Sequence, residues 1–315
     1  MAWYWIVLLA VLFFVVLPPV VLAGVIYTIL LVRTNPQKWE RAISMENDPE
    51  YIGLYKDAEA WSEKYRANMR EVDTYSGRLH LAGQYYDFGF DRAVVIIPGR
   101  MEGCVYCCHF AEPYRLAGYN VLTIDNRAHG KSDGRVGCLG YREYRDMLAW
   151  GKYLHETCGC RSVYLHGVCI GASTALFTLT AKNCPDYFSG MTADGMYVTF
   201  AESFKNHMIE KKKPLFPLYP LCMVWIRVFS HANAVTDGPI RRIGRLRRPI
   251  LFLHSREDIY SLPELAQKLY DKCTAPHKKL AWFPHGGHSR IRCNDPAGYD
   301  RTVTEYLASL DGAEA

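Results

Sequence analysis

A chain of 315 residues with half its side chains apolar and 22% charged can bury a large core and is too apolar for a disordered polymer. Its formal charge of +5 is mild, and a nucleic-acid binder would want a basic face interleaved with aromatics, so nucleic acid is not an expected partner. The length allows one large α/β domain or two smaller ones.

The first 32 residues carry no charged side chain. Trp3 to Val32 is an apolar run of 30 residues, longer than the roughly 20 needed to cross a bilayer. Trp3, Tyr4 and Trp5 at one end and Tyr27 near the other suit interface anchors. Pro18 and Pro19 are expected to kink the helix, because each lacks a donor and crowds the preceding turn. A cleaved signal peptide is the alternative. The length, the lack of a basic stretch ahead and the lack of a small-residue cleavage site oppose it. A hairpin dipping into one leaflet around the prolines is a third option. Arg33, Lys38 and Arg41 follow the run, so the positive-inside rule puts the body of the protein in the cytoplasm. All 11 cysteines come later, and an odd number at irregular spacing is a poor disulfide framework. Cys104, Cys107, Cys108 and Cys158, Cys160 do not have zinc-ribbon spacing and read as buried thiols. Neither a metal nor a cofactor is expected.

Residues 1–33 therefore read as an anchor. Residues 34–69 read as a linker with a short helix, in which Tyr51, Leu54, Tyr55, Ala58 and Trp61 have helical spacing. From Arg70 to the end, 70–315, strands and helices alternate. Glu71–Tyr75 and Leu79–Tyr86 flank Ser76-Gly77 and read as an antiparallel pair. Ala93–Ile97 is a strand, Val105–Ala117 a helix stopped at Gly118, Asn120–Ile124 a strand and Gly140–His155 a helix. Ser162–His166, Gly190–Ala193, Ile250–His254 and Lys279–Phe283 are further strands. Short strands separated by helices predict a mostly parallel sheet covered on both faces. Residues 199–249 are an insertion above that sheet. Its apolar residues, among them Leu215, Phe216, Leu218, Val224, Trp225 and Val228, suit an acyl pocket, a bilayer contact or simple packing on the sheet.

Gly167-Val168-Cys169-Ile170-Gly171 lies between a strand and the helical run Ala172–Leu179. That is the setting of a nucleophile elbow, with cysteine where serine is usual. A thiolate is the attacking species, and a helix amino terminus and a nearby imidazolium both favour it. A base is expected after the last strand. His288 follows the paired glycines of Pro284-His285-Gly286-Gly287-His288, with His285 as runner-up. An acid is expected after the preceding strand, where Asp258 would fix the imidazole tautomer and Glu257 competes with it. Two backbone N–H donors would complete an oxyanion hole, from Ile170 and from Arg100 in Pro98-Gly99-Arg100-Met101. The Arg100 side chain could attract an anionic substrate, although an outward, solvated arginine is the commoner case. Ser173, one turn past the elbow, should face the packing.

These pieces, with Ile96-Ile97-Pro98-Gly99 and Asp125-Asn126-Arg127-Ala128-His129-Gly130-Lys131-Ser132, resemble an α/β-hydrolase of the membrane-anchored bacterial type, near the serine aminopeptidase and monoglyceride lipase-like branch. The resemblance covers about residues 70 to 310. It implies an α/β-hydrolase fold with a mostly parallel eight-stranded sheet flanked by helices and a small lid. It makes Gly140, Glu143 and Asp146 part of the helix before the elbow strand, and Asp125, Arg127 and His129 loop-shaping residues. Two departures stand out. Pro98-Gly99 replaces the usual His-Gly, and cysteine at 169 resembles dienelactone hydrolases and acyl-CoA amino-acid acyltransferases of the same superfamily.

The expected function is a membrane-anchored hydrolase with a Cys169–His288–Asp258 triad that cleaves carboxylic esters or thioesters of small, lipid-like acyl substrates. An acyltransferase using the same acyl-thiol intermediate is the alternative, as is an inactive scaffold on a hydrolase fold.

Overall fold

The computed structural model describes residues 2–43, 45 and 47–312. Residue 1 of the expected anchor, 44 and 46 of the linker and 313–315 of the main domain lie outside the described residues.

The anchor run is one helix, α1 (Trp3–Leu31), long and apolar enough to cross a membrane. Its irregularity is a π turn at Leu12–Val16, just ahead of the prolines. Without N–H groups at Pro18 and Pro19, the carbonyls one turn earlier have no i+4 donor, so the ladder loosens there. Arg33 donates to the carbonyls of Ser132 and Gly130, and Lys38 to those of Thr28 and Val32. Arg41 pairs with Asp125 and Glu71. The cations after this helix thus hold its end and the body together.

Helix α2 (Pro49–Lys64) is capped by Asp48, whose carboxylate accepts from the Glu50 and Tyr51 amides. It buries Tyr51, Leu54, Tyr55, Ala58 and Trp61, the face its periodicity predicted.

Eight strands follow: β1 (Met69–Ser76), β2 (Leu79–Tyr86), β3 (Arg92–Ile97), β4 (Asn120–Ile124), β5 (Ser162–Val168), β6 (Phe188–Asp194), β7 (Ile250–Ser255) and β8 (Lys278–Phe283). They form one sheet in the order β1-β2-β4-β3-β5-β6-β7-β8. β1 and β2 are antiparallel, β2 is antiparallel to β4, and the rest run parallel. Side chains of β3 alternate between two cores. Ala93, Val95 and Ile97 join one, with Trp150 and Leu176, and Val94 and Ile96 join the other, with Phe110, Tyr114 and Tyr299. A strand buried on both faces must be apolar throughout, as β3 is after Arg92.

Helices α3 (Tyr144–Lys152), α4 (Ile170–Leu179), α5 (Phe200–Glu210), α6 (Leu218–Phe229), α7 (Pro263–Lys272) and α8 (Pro296–Asp311) complete the main elements. Two expectations need correction. Val105–Ala117 is not one helix but a turn at Cys104–Cys107, a 3-10 turn at Cys108–Phe110 and a new helix at Glu112–Leu116. Pro113 sits in the first turn of that last piece, where its missing N–H is tolerated, and it blocks a continuous ladder. The helix expected from Gly140 starts at Tyr144 instead. Glu143 accepts from the Cys138 and Gly140 amides, and Gly140 has φ of +89°, so 138–143 is held as a turn.

Helices α5 and α6 lie in the insertion between β6 and β7. They share a third apolar cluster with Ala23, Tyr27 and Leu31 of α1 and with Ile170, and Cys169 packs at its edge.

Candidate active site

The register brings Ile97, Gly167 and Ala193 level, so the segments that follow β3, β5 and β6 open on one crevice at the carboxyl edge of the sheet. Cys169 occupies the turn from β5 into α4 with φ of +54° and ψ of −109°. A non-glycine residue with positive φ is strained, and the surroundings impose it. A β-carbon on Gly167 would stand 2.3 Å from the Gly171 carbonyl carbon, and one on Gly171 would stand 2.2 Å from the Ile97 oxygen. Neither position has room for a side chain, which is how the two glycines force the turn. The Cys169 amide donates to the Asp194 carbonyl at 2.8 Å.

Across the crevice, Asp258 and His288 come from the segments after β7 and β8. Asp258 is 2% exposed. Its Oδ1 accepts from the Tyr260 and Ser261 amides, and its Oδ2 accepts from His288 Nδ1 at 2.7 Å. Burial would raise the carboxyl pKa, but His288, His254 and the Ser261 amide together hold it below the ordinary value. His288 shows the converse balance. Burial disfavours its charge, yet Asp258 and the Cys169 sulfur outweigh that and push its pKa well up. Its Nε2 is buried and lacks a partner at hydrogen-bond distance, although Cys169 is close enough to act on the ring by charge and by a side-chain interaction. The two observations agree on a ring held by Asp258, with the sulfur near Nε2 but short of a well-formed hydrogen bond. Apo geometries of this kind are often loose.

The segment after β3 runs close to Cys169. A β-carbon on Gly99 would lie 3.9 Å from Cys169 Cβ. The Ile170 amide opens α4, where the first N–H groups have no intrahelical carbonyl to bond. Arg100 precedes Met101, which has φ of +75°. The Met101 amide donates to His129 Nε2 at 3.2 Å, while His129 Nδ1–H donates to the Arg127 carbonyl at 2.9 Å. Burial drives the His129 pKa down to about 4, which suits this neutral tautomer. The ring also stacks on Trp39. Arg100 is half-buried as a residue. Burial lowers its pKa, and the opposing influence is the Cys169 sulfur.

The other sequence candidates lie elsewhere or serve the scaffold. His285 is exposed and pairs with Glu257 at 3.1 Å. Ser173 is fully buried in α4. Arg127 clamps Asp146 with two hydrogen bonds of 2.7 and 2.6 Å. Asp125 accepts from Arg41, the Cys104 amide and the Lys131 amide. Sequence reasoning missed Asp194. It is fully buried at the end of β6, accepts from the Tyr299 hydroxyl at 2.9 Å and leaves Oδ1 without a partner. Burial raises its pKa to about 7. Its position at the carboxyl end of a buried strand was the available signal. His207 and Tyr260, stacked at 3.5 Å, form a wall with Tyr260 edge-on to His288.

A second Cys-His-Asp cluster provides a contrast. His109 Nδ1 contacts Asp57 at 2.6 Å and its Nε2 lies 3.7 Å from Cys293. Here burial dominates. It lowers the His109 pKa and pushes the Cys293 thiol up to about 12. Arg292 also occupies Asp57, at 2.8 Å. Similar residue types therefore yield an inert thiol.

Residues 92–220 match the family model described as alpha/beta hydrolase fold. The chain is 29% identical over 196 residues to the uncharacterized protein YqkD of Bacillus subtilis, covering 62% of this chain and 64% of that protein. It is 25% identical over 162 residues to the lysophosphatidylserine lipase ABHD12 of Danio rerio, covering 49% and 39%. It thus spans less than two-thirds of the length of these curated relatives. Among solved structures, the Pyrococcus furiosus esterase Pf2001 superposes with a TM-score of 0.67 at 22% identity, covering 79% of this chain and 93% of that one, a likeness of fold. The chain has the α/β-hydrolase fold.

Proposed function

We propose that this protein is a membrane-anchored hydrolase that cleaves carboxylic esters or thioesters of lipid-like acyl groups through an acyl-thiol intermediate on Cys169. Residues 1–33 are its anchor, 34–69 a linker with one helix, 70–315 the catalytic body and 199–249 a lid. One observation carries the reading: Asp258 holds His288 through Nδ1, and the ring's remaining nitrogen is buried beside Cys169. An imidazole so fixed can take the thiol proton. The sulfur then bonds the acyl carbon, and the Arg100 and Ile170 amides stabilise the oxyanion. Collapse breaks the bond to the leaving alcohol or thiol, which receives the proton from His288. A water then gives its proton to His288 and bonds the acyl carbon. The carboxylic acid leaves and the sulfur regains its proton. Amides suit this site poorly, because a thiolate is expelled before a poor amine leaves. Relatives named as a lipase and an esterase support an ester substrate, and the apolar cluster beside Cys169 supports an acyl chain. The basic residues after the apolar run favour a cytoplasmic body.

The test is labelling of the purified full chain with iodoacetamide, mapped by mass spectrometry, beside turnover of p-nitrophenyl esters. Fast labelling confined to Cys169, slowed by His288→Ala, is expected. Uniformly slow labelling of all cysteines, unaffected by His288→Ala, would leave a scaffold.

A further inference from the structure

Helix α6 turns apolar side chains outward that the described residues leave half or more exposed. Val224, Val228 and Phe229 are 57%, 52% and 53% exposed, and Phe216, just ahead of the helix, is 84% exposed. Val224 and Val228 are one turn apart and share a face. The other face buries Cys222, Met223 and Ile226 in the third cluster. A helix apolar on both faces belongs in a core or in lipid.

Its packing partner says which. Trp225 Nε1–H donates to the Val20 carbonyl at 3.2 Å, and the Tyr27 and Ser230 hydroxyls meet at 3.1 Å. A β-carbon on Gly24 would stand 2.7 Å from the Trp225 ring. Helix α6 therefore lies against the second half of α1, within its apolar run. At 1.5 Å per residue, the 29 residues of α1 extend about 43 Å, against about 30 Å of hydrocarbon, so lipid and its interface reach this half too. Val21, Val25 and Ile29 of α1 are exposed beside Trp225 and line with it an apolar groove of about 330 Å³.

We propose, building on the anchored-hydrolase reading, that the outer face of α6 and Phe216 are immersed in the bilayer beside α1, and that a membrane lipid's acyl chain reaches Cys169 along the apolar seam between α1 and the insertion. The seam is continuous: the cluster that holds Ala23 and Tyr27 extends through Phe204 and Ile226 to Ile170, with Cys169 at its edge. A lipid thus enters sideways from the leaflet, its acyl carbonyl stopping at the elbow.

Two measurements test this on the full chain in phosphatidylcholine–phosphatidylglycerol vesicles. In the first, the photo-crosslinker p-benzoylphenylalanine replaces Phe229, Phe216, Phe14 of α1 or Phe90, which lies ahead of β3 away from the elbow. Lipid adducts from positions 229, 216 and 14 but not 90 are expected. Adducts from 14 without any from 229 and 216 would overturn the proposal, whether or not the protein hydrolyses esters. In the second, Val224→Glu with Val228→Glu is expected to cut turnover of a vesicle-borne long-chain ester about tenfold, because carboxylates resist entering hydrocarbon, and to change a soluble short-chain ester less than twofold. An equal loss on both substrates would overturn the proposal. Absence of ester turnover in the unsubstituted protein would sink the hydrolase reading, and crosslinking would still decide the immersion.

Discussion

Asp258 accepts a 2.7 Å hydrogen bond from Nδ1 of His288, and two backbone amides hold its other oxygen. The carboxylate is thus anchored before it anchors the ring. Asp258→Asn keeps the shape but can present its amide to Nδ1 and favour the wrong tautomer. Ester turnover is expected to fall by about 10²-fold or more for Asp258→Asn and for His288→Ala. A loss below threefold in both variants would place the chemistry elsewhere.

The pH dependence follows from the same pair. Asp258 and Cys169 raise the His288 pKa well above the ordinary imidazole value, which favours the protonated ring beside the sulfur. Alkylation of Cys169 is expected to rise less steeply between pH 6 and 8 than it does in His288→Ala. In His288→Ala it should climb with pH, as for a thiol without an imidazolium beside it. Parallel pH profiles for the two proteins would contradict the pairing.

Gly171 is fixed by contact. A β-carbon there meets the Ile97 carbonyl at 2.2 Å, and a backbone oxygen in a paired strand cannot swing aside. Gly171→Ala is expected to cost about 3 kcal/mol of stability, the upper part of the range for overpacking, and to abolish labelling selectivity at Cys169. Denaturant unfolding in detergent measures the first effect. A stability change below about 0.5 kcal/mol would show that the elbow yields.

Asp194 links folding to pH. Its native pKa of about 7 lies above the ordinary 3.8, so between those values the folded protein keeps a proton that the unfolded chain has released. The associated stability is full below about pH 4 and is lost as pH rises toward 7, by an amount on the order of 4 kcal/mol. Asp194→Asn, which retains an acceptor for Tyr299, should flatten that decline. Unfolding curves for both proteins from pH 4.5 to 8 provide the comparison, and parallel declines would show that Asp194 does not contribute.

Cys293 is the internal control for thiol chemistry. It has a histidine and an aspartate in line, yet its pKa of about 12 leaves almost no thiolate at neutral pH. Its alkylation is expected to lag that of Cys169 by at least about a hundredfold. Equal rates would mean that burial does not separate the two clusters.

Much of this was legible in the sequence because the signals are local. Gly167 and Gly171 punctuate a strand and a helix, and Asp258 and His288 lie in the loops three and five residues past the ends of β7 and β8. The break at Pro113 is also local, because a proline lacks the N–H that would continue the helical ladder. What stayed hidden is carried by tertiary contacts. His129 pins Met101 from another loop, 28 residues away. The seating of Trp225 against Val20 joins residues 205 positions apart. Asp194 reads as an ordinary strand-end carboxylate until Tyr299 and the closed crevice surround it.

The hold that Arg33 and Lys38 keep on both the end of α1 and the loops at Gly130 and Ser132 bears on how the protein is handled. Discarding the first 33 residues to obtain a water-soluble enzyme would remove Tyr27 from Ser230 and leave Trp225 and Cys222 bare. The shortened chain should emerge sticky and slow, with an elbow of sound chemistry under a roof that has lost one of its beams.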